Sequence, residues 1–197
     1  MTAPAPADAT AHVHLVVAAL RADAPAALVA AALQHAGALA EAPGATAVRV
    51  AHSNAQLIVA TWLRSDTPLE VFAASPQHMA FVMQGLAPVV HSMWSVAIAS
   101  ATPPPPAAGG LLWACALPVD APLFEPQVRE LLAALAQLGG PAAAGPTVEE
   151  RERVRAGALV WIAAAAAPAF DVAVGRLLEA WRARGAALVH ARAEQAP

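Results

Sequence analysis

The chain has 197 residues, 58% apolar and only 13% charged, with a formal net charge of −3. That length allows one large domain or two of about 100 residues each, and the negative balance, with Arg as the only basic side chain besides His, argues against nucleic acid. The densest basic run, Arg151 to Arg155, is interleaved with Glu149, Glu150 and Glu152, and the lone Cys115 excludes a disulfide framework or a zinc knuckle.

The first ten residues are Ala/Pro-rich, and no positively charged leader precedes the short apolar run Val13–Leu20. No Asp, Glu, Lys or Arg lies between Val71 and Val119, but prolines and histidines interrupt that stretch and no part of it reads as a spanning helix. A cytoplasmic chain without a membrane partner is expected.

In chain order, His12–Arg21 reads as a strand, with His12, His14, Val16, Ala18 and Leu20 on one face and Val13, Leu15, Val17 and Ala19 on the other. Both faces are mainly apolar, which suits a central strand. Asp23-Ala-Pro25 predicts a capped helix to about Leu39. Pro43-Gly44 marks a turn, and Thr46–His52 and Gln56–Leu63 form a hairpin across Ser53-Asn54. Thr67-Pro68 opens a second helix that breaks at Ser75-Pro76. Ser75 is a good N-cap and Pro76 suits the first helical position. The next segment should run to about Ala87, with Met79, Val82, Met83 and Leu86 as its apolar stripe. His91–Ala99 is then a strand carrying Ser92, Trp94, Val96 and Ile98 on one face.

Strand, helix, strand, strand, helix, strand is the ferredoxin-like order. After a stiff Pro-rich linker at 101–109 the pattern returns over 110–194. Leu111–Leu117 reads as a strand, Asp120-Ala-Pro122 repeats Asp23-Ala-Pro25 at an offset of 97, and a helix follows over Glu125–Leu138. Segment 140–156 matches least: it should hold a strand but is Gly/Pro/Ala-rich and then highly charged. Ala158–Ala164 is a strand, Ala167-Pro168 mirrors Thr67-Pro68 at an offset of 100, a helix runs to about Arg184, and Ala187–Ala193 closes the chain. The expected fold is therefore α+β: two tandem ferredoxin-like βαββαβ repeats, 11–100 and 110–194, closed against each other as a pseudo-dimer of the dimeric α/β-barrel type. Further homodimerisation is left open.

Residues 12–99 resemble the stress-responsive dimeric α/β-barrel (Dabb) family. The likeness rests on His14-Leu-Val-Val, on Ser75-Pro76-Gln-His78 followed by Met-Ala-Phe81-Val82, and on Leu86-Ala-Pro88-Val-Val. Members often show His-Pro-x-His where this chain has Ser75 first. The second repeat matches in layout, but Ala173-Val-Gly175-Arg176 holds no counterpart of His78. The resemblance implies a barrel that binds a small molecule. In a plant polyketide cyclase of this family, a strand histidine and a helix histidine line a cavity for a cofactor-free ring closure, assisted by a tyrosine. Those histidines map to His14 and His78, and the tyrosine maps to Phe72, which has no hydroxyl.

His78 sits in the first turn of its helix, where the dipole disfavours an imidazolium and leaves a neutral ring that can accept a proton. The candidate catalytic residues are thus His78 as base and His14 as orienting group. Phe72, Trp94, Phe81 and Val16 are candidate walls for a small apolar or aromatic ligand. Two readings stay open: a cofactor-free enzyme acting on an apolar carbonyl compound, in the manner of a polyketide cyclase, or a non-catalytic stress-responsive binding barrel. No cofactor is required by either. His12 and His14 share a strand face, but no carboxylate or thiol lies close in sequence to complete a metal site. The helix histidine also raises haem, as in related barrel families, without any distinctive haem motif. The remaining tryptophans and Gly pairs read as core and turns.

Overall fold

The computed structural model describes residues 11–106, 109–118, 125–138, 142–148, 154–186 and 188–195. Asp120-Ala-Pro122 and the basic run from Arg151 to Arg153 lie outside them. Eight strands form one antiparallel sheet: β1 (Ala11–Leu20), β2 (Ala45–His52), β3 (Gln56–Leu63), β4 (Val90–Ser100), β5 (Gly110–Pro118), β6 (Ala142–Pro146), β7 (Val154–Ala163) and β8 (Val189–Gln195). Their spatial order is β4-β1-β3-β2-β8-β5-β7-β6. The two ends meet at an antiparallel bridge between Ile98 and Thr147 and at Val148 N–H, which donates to the Ala97 carbonyl at 2.8 Å. The sheet is thereby nearly closed.

Alternation along each strand divides the side chains between two environments. Odd residues of β1 (Val13, Leu15, Val17) point inward with Ile58, Trp62, Val96, Ile98, Leu112 and Leu159. Partly buried Trp94 and Trp161 pack against the same cluster. The barrel interior is therefore filled by side chains. Even residues of β1 (Val16, Ala18, Leu20) face outward onto the helices of the first half, with Leu39, Phe72, Phe81 and Leu86. The outer face of the second half is built likewise from Trp113, Cys115, Val160 and Ile162 against Leu135, Phe170, Val174 and Trp181.

The helices are α1 (Ala26–Ala38), α2 (Leu69–Ala73), α3 (Pro76–Ala80), α4 (Glu125–Gln137) and α5 (Ala167–Ala183). Three local expectations change. Pro25, not Asp23, holds the cap position of α1, and no side chain caps it; Asp23 stands outside as a loose partner of Arg21 at 3.8 Å. The segment after His78 is not a continuous α-helix. It widens into a π-turn over Phe81–Leu86, where Ala87 N–H reaches back to the Val82 carbonyl at 2.9 Å. Of the predicted stripe, Leu86 is buried and Val82 packs against the core, while Met79 and Met83 are 48% and 61% exposed. Finally, the Gly/Pro/Ala-rich stretch after 140 holds the expected strand as β6, whose small residues fit against β7, but the strand after it starts elsewhere than expected. β7 begins at Val154, earlier than predicted, and takes in Arg155.

The Pro-rich linker is strapped to the sheet. Arg49 Nε donates to the Pro105 carbonyl at 2.6 Å, Trp62 Nε1 to that of Thr102 at 3.3 Å, and Gln195 Nε2 to that of Pro106 at 3.0 Å.

Packing inside the barrel leaves no spare volume at Gly157 of β7. A Cβ there would stand 2.5 Å from Cγ1 of Val96 on β4. Gly157→Ala should destabilise by about 1–3 kcal/mol through overpacking. Adding Val96→Ala should recover part of that loss, a non-additivity readable in urea melts of the single and double variants. Simple additivity would mean that the two strands do not press on each other across the interior.

Candidate functional site

His14 lies on the outer, helix-facing side of β1, opposite Thr61 of β3 and Ala97 of β4. His78 reaches it from α3. The loop between α2 and α3 fixes His78 in two ways. Ser75, with φ −67° and ψ 149°, takes the cap position, and its Oγ accepts from the backbone N–H of His78 at 3.2 Å. The side chain then turns back, and Nδ1 lies 2.9 Å from the Ala73 carbonyl. A carbonyl can only accept, so Nδ1 carries the proton and Nε2 keeps the free lone pair.

Phe72 completes a cluster of three rings. Its centroid is 5.5 Å from that of His14 and 5.0 Å from that of His78, and the two imidazoles are 5.7 Å apart. The interplanar angles of 60–64° are edge-to-face. Val16 and Phe81, both buried, belong to the same layer between sheet and helices. Trp94 does not. It pairs with Val17 on β4 and projects into the filled barrel interior, so a full sheet thickness separates it from the imidazoles. Of the six candidate residues, the structure brings five into one layer and leaves Trp94 on the other face.

The electrostatics favour neutral rings. Burial, with a smaller push from His78, holds His14 at about 4. Burial also lowers His78 below its ordinary value, partly countered by its bond to Ala73. Sequence reasoning missed two features. The Ala73 carbonyl is backbone and carries no side-chain signal. Thr61 is fully buried with no hydrogen-bond partner for Oγ1, and the Nδ1 atoms of His14 and His12 are likewise buried and unpartnered. Each such group costs roughly 1–3 kcal/mol when left unsatisfied. The visible signal was a hydroxyl inside the otherwise apolar run Leu57-Ile-Val-Ala-Thr61-Trp-Leu63.

Two clefts formed by described residues carry none of these side chains. One of about 530 Å³ lies between the start of α1 and the β2–β3 turn, lined by Arg21, Val29, Leu33, His52 and Asn54. Another of about 480 Å³ joins that turn to Arg192 and Glu194 of β8. Among the described residues, no three His, Cys, Asp or Glu side chains cluster at metal-binding range, and no helix is long and apolar enough to cross a membrane.

No protein-family model matches the sequence, and no curated protein matches it. Solved structures do match the fold. An anthrone oxidase-like protein is 14% identical, with a TM-score of 0.61 over 97% of this chain and 93% of its own. A candidate monooxygenase from Lactobacillus acidophilus NCFM is 7% identical, with a TM-score of 0.56 over 94% of each chain. A chlorite dismutase variant from Candidatus Nitrospira defluvii is 11% identical, with a TM-score of 0.55 over 94% and 92%. The architecture is thus that of the dimeric α/β barrels, with ferredoxin-like neighbours; identities this low carry the fold alone.

The pH dependence of stability follows from the neutral His14. Its folded value near 4 lies below its unfolded value near 6.5, so the unfolded chain binds more protons between them. Stability should therefore fall as pH drops from about 6.5 to about 4, by on the order of 3 kcal/mol from this group. Denaturant melts across that window should show a shallower slope in His14→Phe. An unchanged slope would place the acid sensitivity elsewhere.

Proposed function

We propose that this chain is a small-molecule enzyme of the stress-responsive dimeric α/β-barrel type, in which His78 acts as general base on an apolar carbonyl compound and His14 orients it. The observation that carries the reading is the Nδ1–H bond from His78 to the Ala73 carbonyl. It fixes one tautomer and presents Nε2 as a base in a layer where both imidazoles are neutral at pH 7. In the proposed step, Nε2 takes a proton from the carbon beside a carbonyl. The C–H electron pair moves into the carbonyl to give an enolate, and the imidazolium later returns the proton. Polyketide-type ring closure is one use of such an enolate. The neighbour described as an anthrone oxidase-like protein, which shares the fold, supports a small aromatic substrate class.

The same proposal takes 11–100 and 110–194 as tandem units. The order β4-β1-β3-β2 of the first half recurs as β8-β5-β7-β6 in the second. Trp113 of β5 meets Phe170 of α5 edge-on at 5.8 Å, much as His14 meets Phe72 at 5.5 Å. In this reading the second unit closes the barrel and fills its own site with indole. A second function, a non-catalytic binding barrel, is favoured by one observation: Phe72 brings no hydroxyl to the imidazole pair, so the acid half of an acid/base couple has no side chain at that position.

Exchange at a carbon acid tests the base directly. With 2-tetralone in D2O followed by proton NMR, the protein should accelerate loss of the C1 signals. His78→Ala should slow that by roughly 10²-fold or more with the circular dichroism unchanged. The rate should sit on a plateau at neutral pH and fall on acidification below about 6.5, since His78 titrates under its ordinary value. Exchange that is indifferent to His78→Ala would remove the base assignment and leave the binding reading.

A further inference from the structure

Three polar atoms in the helix-facing layer have no partner: Oγ1 of Thr61 and Nδ1 of both His14 and His12. Thr61 is wholly buried and stands directly across the β1–β3 ladder from His14, so the two side chains leave the sheet on the same face. Around them the layer is hydrocarbon: Val16, Leu63, Phe72 and Phe81. Valine has the shape of threonine, favours strands equally and carries no hydroxyl. A hydroxyl kept here without a partner needs one from elsewhere. His14 and His78 are each partly buried, so each residue keeps part of its surface exposed, with Oγ1 of Thr61 and Nδ1 of His14 beneath.

We infer that Thr61 and His14 form a polar anchor for a single ligand oxygen, so that the site selects flat apolar molecules bearing a carbonyl or enol. The inference rests on the proposed location of the substrate beside His78, and it adds the group that recognises it. A carbonyl oxygen has two acceptor sites. Thr61 Oγ–H donates to one, and His14, neutral with its proton on Nδ1, donates to the other. The same two donors would face the growing charge of an enolate. A molecule of equal shape without the oxygen leaves both donors unmade and gains only apolar contact.

The test compares 2-tetralone with tetralin, its oxygen-free counterpart, by equilibrium dialysis against the whole chain. The wild-type protein should prefer the ketone by roughly five- to tenfold. Thr61→Val should bring that ratio near one by weakening the ketone alone, and Thr61→Ser should keep the preference. Without ligand, Thr61→Val should melt at the same temperature or higher, because it removes an unsatisfied hydroxyl; a merely structural hydroxyl would instead lower the melting point and leave the ratio unmoved. If Thr61→Val does not fold, Thr61→Ala reports the same ratio. No wild-type preference, or a preference that survives loss of the hydroxyl, overturns the anchor. His78→Ala separates the two ideas: with a correct anchor and a wrong base it changes neither ratio nor exchange, and with both correct it abolishes exchange and keeps the ratio.

Discussion

The filled interior of the sheet governs where chemistry can take place in this protein. Eight strands surround Val13, Leu15, Val17, Val96, Ile98 and Leu112, with Trp62 and partly buried Trp94 and Trp161 among them. A close-packed interior of this kind offers no volume to a ligand. What the barrel supplies is rigidity. It holds β1 and β3 in fixed register, so the residues on their other face, His14 and Thr61, stand at a defined spacing under the helices. The candidate residues other than Trp94 lie in the layer between sheet and helix.

That layer also sets the protonation state of its residues. Imidazolium is poorly solvated among Phe72, Phe81 and Val16, and burial is the leading cause of the lowered values of both His14 and His78. The two rings lie close enough for each charge to oppose the other, which pushes His14 further in the same direction. Neutrality at pH 7 thus needs no special partner. Directionality does, and it comes from backbone. The break between α2 and α3 leaves the Ala73 carbonyl free of its helical bond and within reach of His78 Nδ1. A continuous helix through Ser75 would have satisfied that carbonyl internally.

Much of this was legible in the sequence, and the reasons for the remainder are physical. Strand alternation in β1 separated His14 from Leu15 correctly, because period-two patterning survives any tertiary context. Ser75-Pro76 placed the cap and hence His78 in the first turn, because that signal is local chemistry. The two faces of β4 could not be assigned to inside and outside from its own residues. Trp94, Val96 and Ile98 are as apolar as a site wall would be, and only the closure of the sheet shows that they face the barrel interior. The π-turn over Phe81–Leu86 was likewise invisible. Within it Gly85 packs closely against Ala32 and His35 of α1, where a Cβ would come within 3.3 Å of His35. The stripe of Met79, Val82, Met83 and Leu86 presumes an unbroken 3.6-residue period, which the π-turn interrupts after Ala80.

The two outer layers show how one scaffold can hold different chemistry. The outer layer of the first half holds an imidazole–phenyl pair, His14 with Phe72, and that of the second half holds an indole–phenyl pair, Trp113 with Phe170, at nearly the same separation and angle. Indole adds bulk and apolar area, and Trp113 is buried in the cluster of the second layer. Imidazole is smaller and leaves polar atoms unmet. The energetic consequences are opposite. Trp113 contributes burial to the fold, whereas His14 and Thr61 weaken the free protein by leaving Nδ1 and Oγ1 without partners. In the proposed reading that difference is the function: stability gathered in the second unit and in the common barrel carries a first unit whose unsatisfied groups wait for a substrate oxygen. A fold with a solid interior and two separate outer layers can do this because a polar defect in one layer is screened from the other by a full sheet and the packed side chains within it.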